Sequence, residues 1–345
     1  VTSILEATSF TKITADTTDE TLETALDALR VFVADYQQAT STTTVTPTIR
    51  DNRDSFYTNF INLQAEIRNL SLYNETSGSL GLSVANLVGA DIGVLFNNAK
   101  LYDSVRYALA KLNPFTITGN SALYDQINFD GSLDLYNPTT GTGALTDQYL
   151  LDRSAFLYNK ILSGSANTST DSGDAFVAYS GAPQVFEDLN TDPGYKLYLG
   201  QNASVSNIPV DEMSRIRFGS ANDNQLFGST QWDNLYGMAG DDTLTGQAGN
   251  DYLEGGFGGD NLYGGEGSDN LLGGEGADLL AGGADNDILN GGQGNDTYVY
   301  NFGDGLDTIL DTDGFGRIIY RDAQGTEYTL DGGVRSPLSY GLYYD

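Results

Sequence analysis

The chain has 345 residues, 39% of them hydrophobic and 42 of them glycine, and its 16 Lys and Arg face 47 Asp and Glu for a formal charge of -31. That charge repels polyanions, so nucleic acid is excluded as a partner, and a multivalent cation is the natural counterpart of carboxylates at this density. Histidine and cysteine are both absent, which removes disulfides, zinc or iron–sulfur sites built on them, and Ser-His or Cys-His catalytic units; the chain reads as non-catalytic, with no transmembrane segment.

In chain order, the first half has apolar residues at a helical period of about 3.6. DETLETALDALRVFVADY aligns Leu22, Leu26, Leu29, Val33 and Tyr36 on one face, and DNRDSFYTNFINLQAEIRNL does the same with Phe56, Phe60, Leu63, Ile67 and Leu70. SVANLVGADIGVLFNNAKLYDSVRYALAKLNPF predicts one or two helices ending before Asn113-Pro114. TDQYLLDRSAFLYNKILSG predicts another, with Thr146 as its cap and Gly164 as its stop. These elements imply an α-helical domain over 1–175. Short strands follow in AFVAYSGAPQVFEDL and YKLYLGQNASVSNIPV, so that 176–218 reads as strands and a cap for what comes next.

From Gly219 the chain repeats with a period of nine, and nine nonapeptides run to residue 299 without an insertion. The sixth position reads Asn224, Asp233, Asp242, Asp251, Asp260, Asp269, Asp278, Asp287 and Asp296. The eighth is Leu from Leu226 to Leu289 and then Tyr298. Glycine at positions one, two and four suits a tight loop with inward carbonyls, and at the fourth position it is found at Gly240, Gly249, Gly258, Gly267, Gly276 and Gly294. Positions seven to nine predict a three-residue strand with its central Leu in a core. Two nonapeptides make one 18-residue turn of a right-handed parallel β-roll, in which Asp242 faces Asp260, Asp251 faces Asp269, Asp260 faces Asp278, Asp269 faces Asp287 and Asp278 faces Asp296. Between Gly219 and Gly316 there are eighteen acidic residues and no Lys or Arg. Such an array opposes its own folding unless a cation is bound, and an all-oxygen donor set suits Ca²⁺. Five or more ions are expected, with the first two repeats poorer because Asn222, Gln231 and Asn224 break the pattern. The roll is expected over 219–313, with Asp304 and Asp307 as further ligands in a closing turn, and RIIYRDAQGTEYTL as a hairpin within a cap at 314–345.

The nonapeptides, GGxGxDxLx as in GGEGSDNLL, resemble those of the RTX (repeats-in-toxin) family. The resemblance implies an α + β protein with an N-terminal helical domain and a calcium-binding β-roll. It further implies export from a Gram-negative bacterium through type I secretion machinery, and folding outside the cell on meeting calcium. ALDALRVFV, NRDSFYTNFINLQ, ALAKLNPFTITGNSALYD and QYLLDRSAFLYNKI resemble the helical stretch that precedes the repeats in large lipase- or esterase-like RTX proteins, which implies an enzyme upstream of these residues. The alternative from another class is a calcium-assembled surface protein or adhesin, attached to the cell or self-associating.

Overall fold

The computed structural model describes residues 83–112, 114–118, 124–125, 128–166, 174–178, 182–189, 195–200, 212–311 and 313–331. The helices expected within 19–36 and 51–70 lie outside the described residues. The chain divides into two compact units, one of residues up to 134 with 147–172, the other of 135–146 with 173–345.

In the first unit, β1 (Ser83–Asn86) and β2 (Phe115–Thr118) pair antiparallel around two helices, α1 (Ile92–Leu101) and α2 (Asp103–Ala110). The periodicity over 83–115 thus resolves into two helices, but its first four residues form a strand, because they are held by pairing with β2 and not by helical bonds. Asp91 caps α1 by accepting from the Val94 N–H at 2.8 Å. Tyr102, with φ at -133°, separates the two helices. The third helix, α3 (Asp147–Ala166), runs two residues past Gly164. Arg153 on α3 is almost fully buried, and its guanidinium donates to the carbonyls of Leu109 and Ala110 at the end of α2. Leu95, Ala99, Leu109, Leu150, Phe156 and Leu157 form the unit's apolar interior.

The second unit begins with β3 (Asp174–Ala178), β4 (Gln184–Asp188), β5 (Tyr195–Gly200) and β6 (Ser214–Phe218). The repeats then supply β7 (Gln225–Phe227), β8 (Asn234–Ala239), β9 (Thr243–Ala248), β10 (Tyr252–Phe257), β11 (Asn261–Glu266), β12 (Asn270–Glu275), β13 (Leu279–Ala284), β14 (Ile288–Gln293) and β15 (Thr297–Asn301). Last come β16 (Thr308–Leu310), β17 (Arg317–Arg321) and β18 (Glu327–Asp331). Even-numbered strands from β16 back to β4 line one sheet, which ends in β5 and β3, and odd-numbered strands from β7 to β17 line the other, which ends in β18. Repeat strands pair parallel with an offset of 18 residues, Leu253 with both Leu235 and Leu271, Leu262 with both Leu244 and Leu280. This is a parallel β-solenoid, closed by the antiparallel β17–β18 hairpin.

Most of these strands are six residues long where the sequence predicts three. Pairing continues across most repeat boundaries, through a second position of positive φ such as Gly256 at +114° and Gly274 at +119°: Gly256 pairs with Gly274 and Phe257 with Glu275. The eighth-position side chains, Leu226 through Leu289 and Tyr298, are at most 1% exposed and stack into one continuous core, with Leu189, Ile309 and Ile318 packed against it. Burying each leucine contributes about 2 kcal/mol.

Residues 135–146, which lie between α2 and α3 in sequence, fold with the solenoid. Bridges at Leu135–Leu145 and Asn137–Thr142 turn this segment into a small strap. The Thr146 hydroxyl donates to the buried Glu254 carboxylate at 2.7 Å, Tyr252 donates to the same oxygen at 2.9 Å, and Asn290 donates to the Tyr136 hydroxyl at 3.2 Å. Neither the strap nor its anchors are predicted by the repeat pattern.

Candidate metal centre

The sixth residue of each repeat stands where the loop re-enters a strand, so its side chain points inward. All eight repeat aspartates from Asp233 to Asp296 are buried, at most 3% exposed. They form two ladders, because alternate repeats belong to alternate sheets. In one, the N–H of Asp233 donates to Oδ1 of Asp251, Asp251 to Asp269, Asp269 to Asp287, and Asp287 to Asp307. In the other, Asn224 donates to Asp242, Asp242 to Asp260, Asp260 to Asp278, and Asp278 to Asp296. The pairs expected 18 residues apart are therefore neighbours, but their contact is a backbone hydrogen bond to one oxygen and not an opposition of two carboxylates.

The other oxygen has no donor. Oδ2 of Asp242, Asp251, Asp260, Asp269, Asp278, Asp287, Asp296 and Asp307 is buried without a hydrogen-bond partner. A carboxylate oxygen left so costs several kcal/mol, by order of magnitude, unless something positive meets it. What does face it is another acceptor. A Cβ built on Gly255 would lie 2.3 Å from Asp260 Oδ2 and 2.6 Å from the Gly273 carbonyl oxygen, and one on Gly264 would lie 2.2 Å from Asp269 Oδ2 and 2.5 Å from the Gly282 carbonyl. At the rungs of Asp242, Asp251, Asp260, Asp269 and Asp278, then, a carboxylate oxygen and the carbonyl thirteen residues further on converge beside a first-position glycine, while at Asp296 the Tyr298 hydroxyl stands beside Gly291 instead. Two acceptors facing each other without a donor fit a hard cation. Among the described residues no three acidic side chains cluster around one point. That agrees with this geometry, in which each rung offers one free carboxylate oxygen and backbone carbonyls supply the rest.

The electrostatics follow from burial. It lifts Asp251 and Asp278 to about 8, with neighbouring rungs adding repulsion. Burial is also the main cause that holds Asp242 and Asp269 at about 7 and Asp260, Asp287, Asp296 and Asp307 at about 6. Asp233 is raised as well, mainly by burial, but it differs in its bonding: one oxygen accepts from the Arg215 N–H and the other from the Ser229 N–H.

The glycines divide by role. Gly240, Gly249, Gly258, Gly267, Gly276 and Gly294 have φ between +104° and +147°, as a fourth-position loop needs, and Asp285 takes the same left-handed turn at +79°. First-position glycines lie outside that region of φ; they are required by the close approach just described. Asp307 sits on a ladder, while Asp304 instead accepts from the Asn301 backbone and side chain in a turn. One set of residues escaped the sequence reading. Asp223, Asp241, Asn250 and Asn286, at the fifth position, accept the N–H of Asp241, Gly259, Ser268 and Leu306 in the following turn. The recurrence of Asp and Asn one place before the sixth was the signal for this outer ladder.

No curated protein matches the chain. Residues 227–262 and 263–298 each match the family model for the RTX calcium-binding nonapeptide repeat, four copies at a time. Residues 227–298 are thus RTX calcium-binding nonapeptide repeats, and the β-solenoid that they build is a calcium-binding module.

Proposed function

We propose that the solenoid is a calcium-triggered folding module of a protein exported through type I secretion machinery by a Gram-negative bacterium, and that it is a non-catalytic portion of a larger, lipase-like protein. The observation that supports this most is the row of eight buried carboxylate oxygens without donors. Asp242, Asp251, Asp260, Asp269, Asp278, Asp287, Asp296 and Asp307 are the residues that would hold the ions, the first five each with a facing carbonyl. Bound calcium supplies the positive charge that these oxygens lack. Inside a cell, where free calcium is scarce, the uncompensated ladders keep the chain unfolded and fit for export; outside, binding free energy becomes folding free energy. Among the described residues no helix is long and apolar enough to cross a membrane. The lipase-like parent rests on the resemblance of the helical stretch.

The test is a far-UV circular dichroism titration of the chain with Ca²⁺ and, separately, Mg²⁺. Cooperative growth of β signal in calcium, with none in magnesium, is expected. An unchanged spectrum in a chain shown by metal analysis to be calcium-free would overturn the proposal.

A further inference from the structure

One rung of the ladders carries the opposite charge. Counting back 18 residues from Asp233 reaches Arg215, on β6, and the two are held as any other rungs are: the Arg215 N–H donates to Asp233 Oδ1. Every later rung of that ladder is an aspartate. At the rungs of Asp251 and Asp269 the free Oδ2 faces the carbonyl thirteen residues on. At this one, the side chain reaches the same carbonyl with a donor, since Arg215 Nη1 lies 2.8 Å from the Gly228 oxygen and 3.0 Å from that of Phe227. Gln247 also donates to the Gly228 oxygen. Asp233, the next rung, has protein donors on both oxygens and is missing from the row of orphaned carboxylates. The neighbouring ladder starts on a neutral side chain, Asn224, whose Oδ1 accepts from the Ser220 N–H at 2.7 Å. Arg217 reinforces this end: it stands in register with Leu235, donates to the Phe227 carbonyl at 3.1 Å and pairs with Glu187 at 2.7 Å.

We propose that Arg215 is a built-in cation, whose guanidinium takes at the first rung the place that a bound calcium ion takes at later ones, so that the N-terminal end of the solenoid is complete without metal. This rests on the calcium reading above. It goes further in dividing the roll into a metal-free template, β6 to β8, and a calcium-requiring remainder that is built onto it. A preformed end removes the cost of nucleating the first turn and gives the calcium-driven folding a direction, from β8 towards β16.

Two measurements on the full chain test it. The first counts calcium ions per chain by equilibrium dialysis. Arg215→Asp restores an acidic rung and is expected to bind one ion more than the wild type, whereas Arg215→Lys, which keeps the charge, binds the same number. An equal count for Arg215→Asp and the wild type would overturn the proposal. The second is hydrogen exchange in chelator, which needs no variant to fold: amides of 214–218 and 234–236 are expected to be protected in the wild type while those of 261–293 exchange freely. Uniform exchange along the roll would overturn it, as would retention of that protection in Arg215→Gln. If no calcium binds to any of the proteins, the calcium reading itself fails, and the two failures are thereby told apart.

Discussion

At the scale of single residues, a fourth-position repeat glycine and a glycine of the closing hairpin should respond differently to one added methyl group. Gly276 combines φ at +147° with a would-be Cβ 1.7 Å from the Gly258 carbonyl oxygen, whereas Gly325, at +77°, has open space around it. Gly276→Ala is expected to lower the unfolding free energy in calcium by about 3 kcal/mol or more, and Gly325→Ala by about 1 kcal/mol, measured by urea denaturation. Equal losses would contradict the close stacking of successive loops. Asp260→Ala removes an orphaned oxygen and an acceptor for Asp242, so its calcium midpoint should rise by about tenfold or more. Asn224→Ala, at a rung without charge, should shift that midpoint far less; equal midpoints would show that the two rungs are equivalent. The sequence made the sixth position legible because an unbroken period of nine fixes its phase. It did not reveal which oxygen is bonded and which is free, a matter of loop geometry. Nor did it reveal Arg215, which holds the same phase with the opposite charge.

At the scale of elements, the leucine stack is the main apolar support of the roll. Leu262→Ala should cost about 3 kcal/mol, since its buried side chain has neighbours above and below that cannot close the gap. Tyr263→Ala, on the half-exposed outer face of the same strand, should change stability by less than about 0.5 kcal/mol. Comparable losses would place the core on the wrong face. The strap offers a separate check. Thr146→Val leaves the buried Glu254 carboxylate with one donor fewer, and about 2 kcal/mol is expected to be lost. The strands of the repeats were legible from alternation and phase, and the two helices over 92–110 from their apolar spacing. The strand over 83–86 was not, since only its distant partner, β2, selects it over a helix, and the strap depends on contacts made more than a hundred residues away.

At the scale of the whole molecule, the raised aspartates set how the metal-free chain responds to acid. Their folded values of about 6 to about 8 exceed the ordinary 3.8, so the folded state binds protons more readily than the unfolded one. The sign follows: stability is fullest below about pH 4 and is lost as the pH rises through the range from about 6 to about 8. In chelator, acidification from about pH 8 to about pH 5 should therefore increase β signal. In calcium, protons compete with the ion, and the calcium midpoint at about pH 6 should exceed that at about pH 8. A metal-free spectrum that ignores pH across this range would refute the assignment of these carboxylates as the obstacle to folding.

The offset of 18 residues between paired repeat strands has one more consequence. Strands recur about every 4.8 Å, so two ladders carry roughly one carboxylate per 2.4 Å of roll, close to the linear charge density of a DNA duplex at about 1.7 Å. The folded roll is in effect a polyelectrolyte lying inside a protein, and its counterions are drawn from a mixture of sodium and calcium. The logarithm of its calcium affinity should then fall steadily with the logarithm of sodium concentration, so that the threshold for folding is lower in fresh water than in brine.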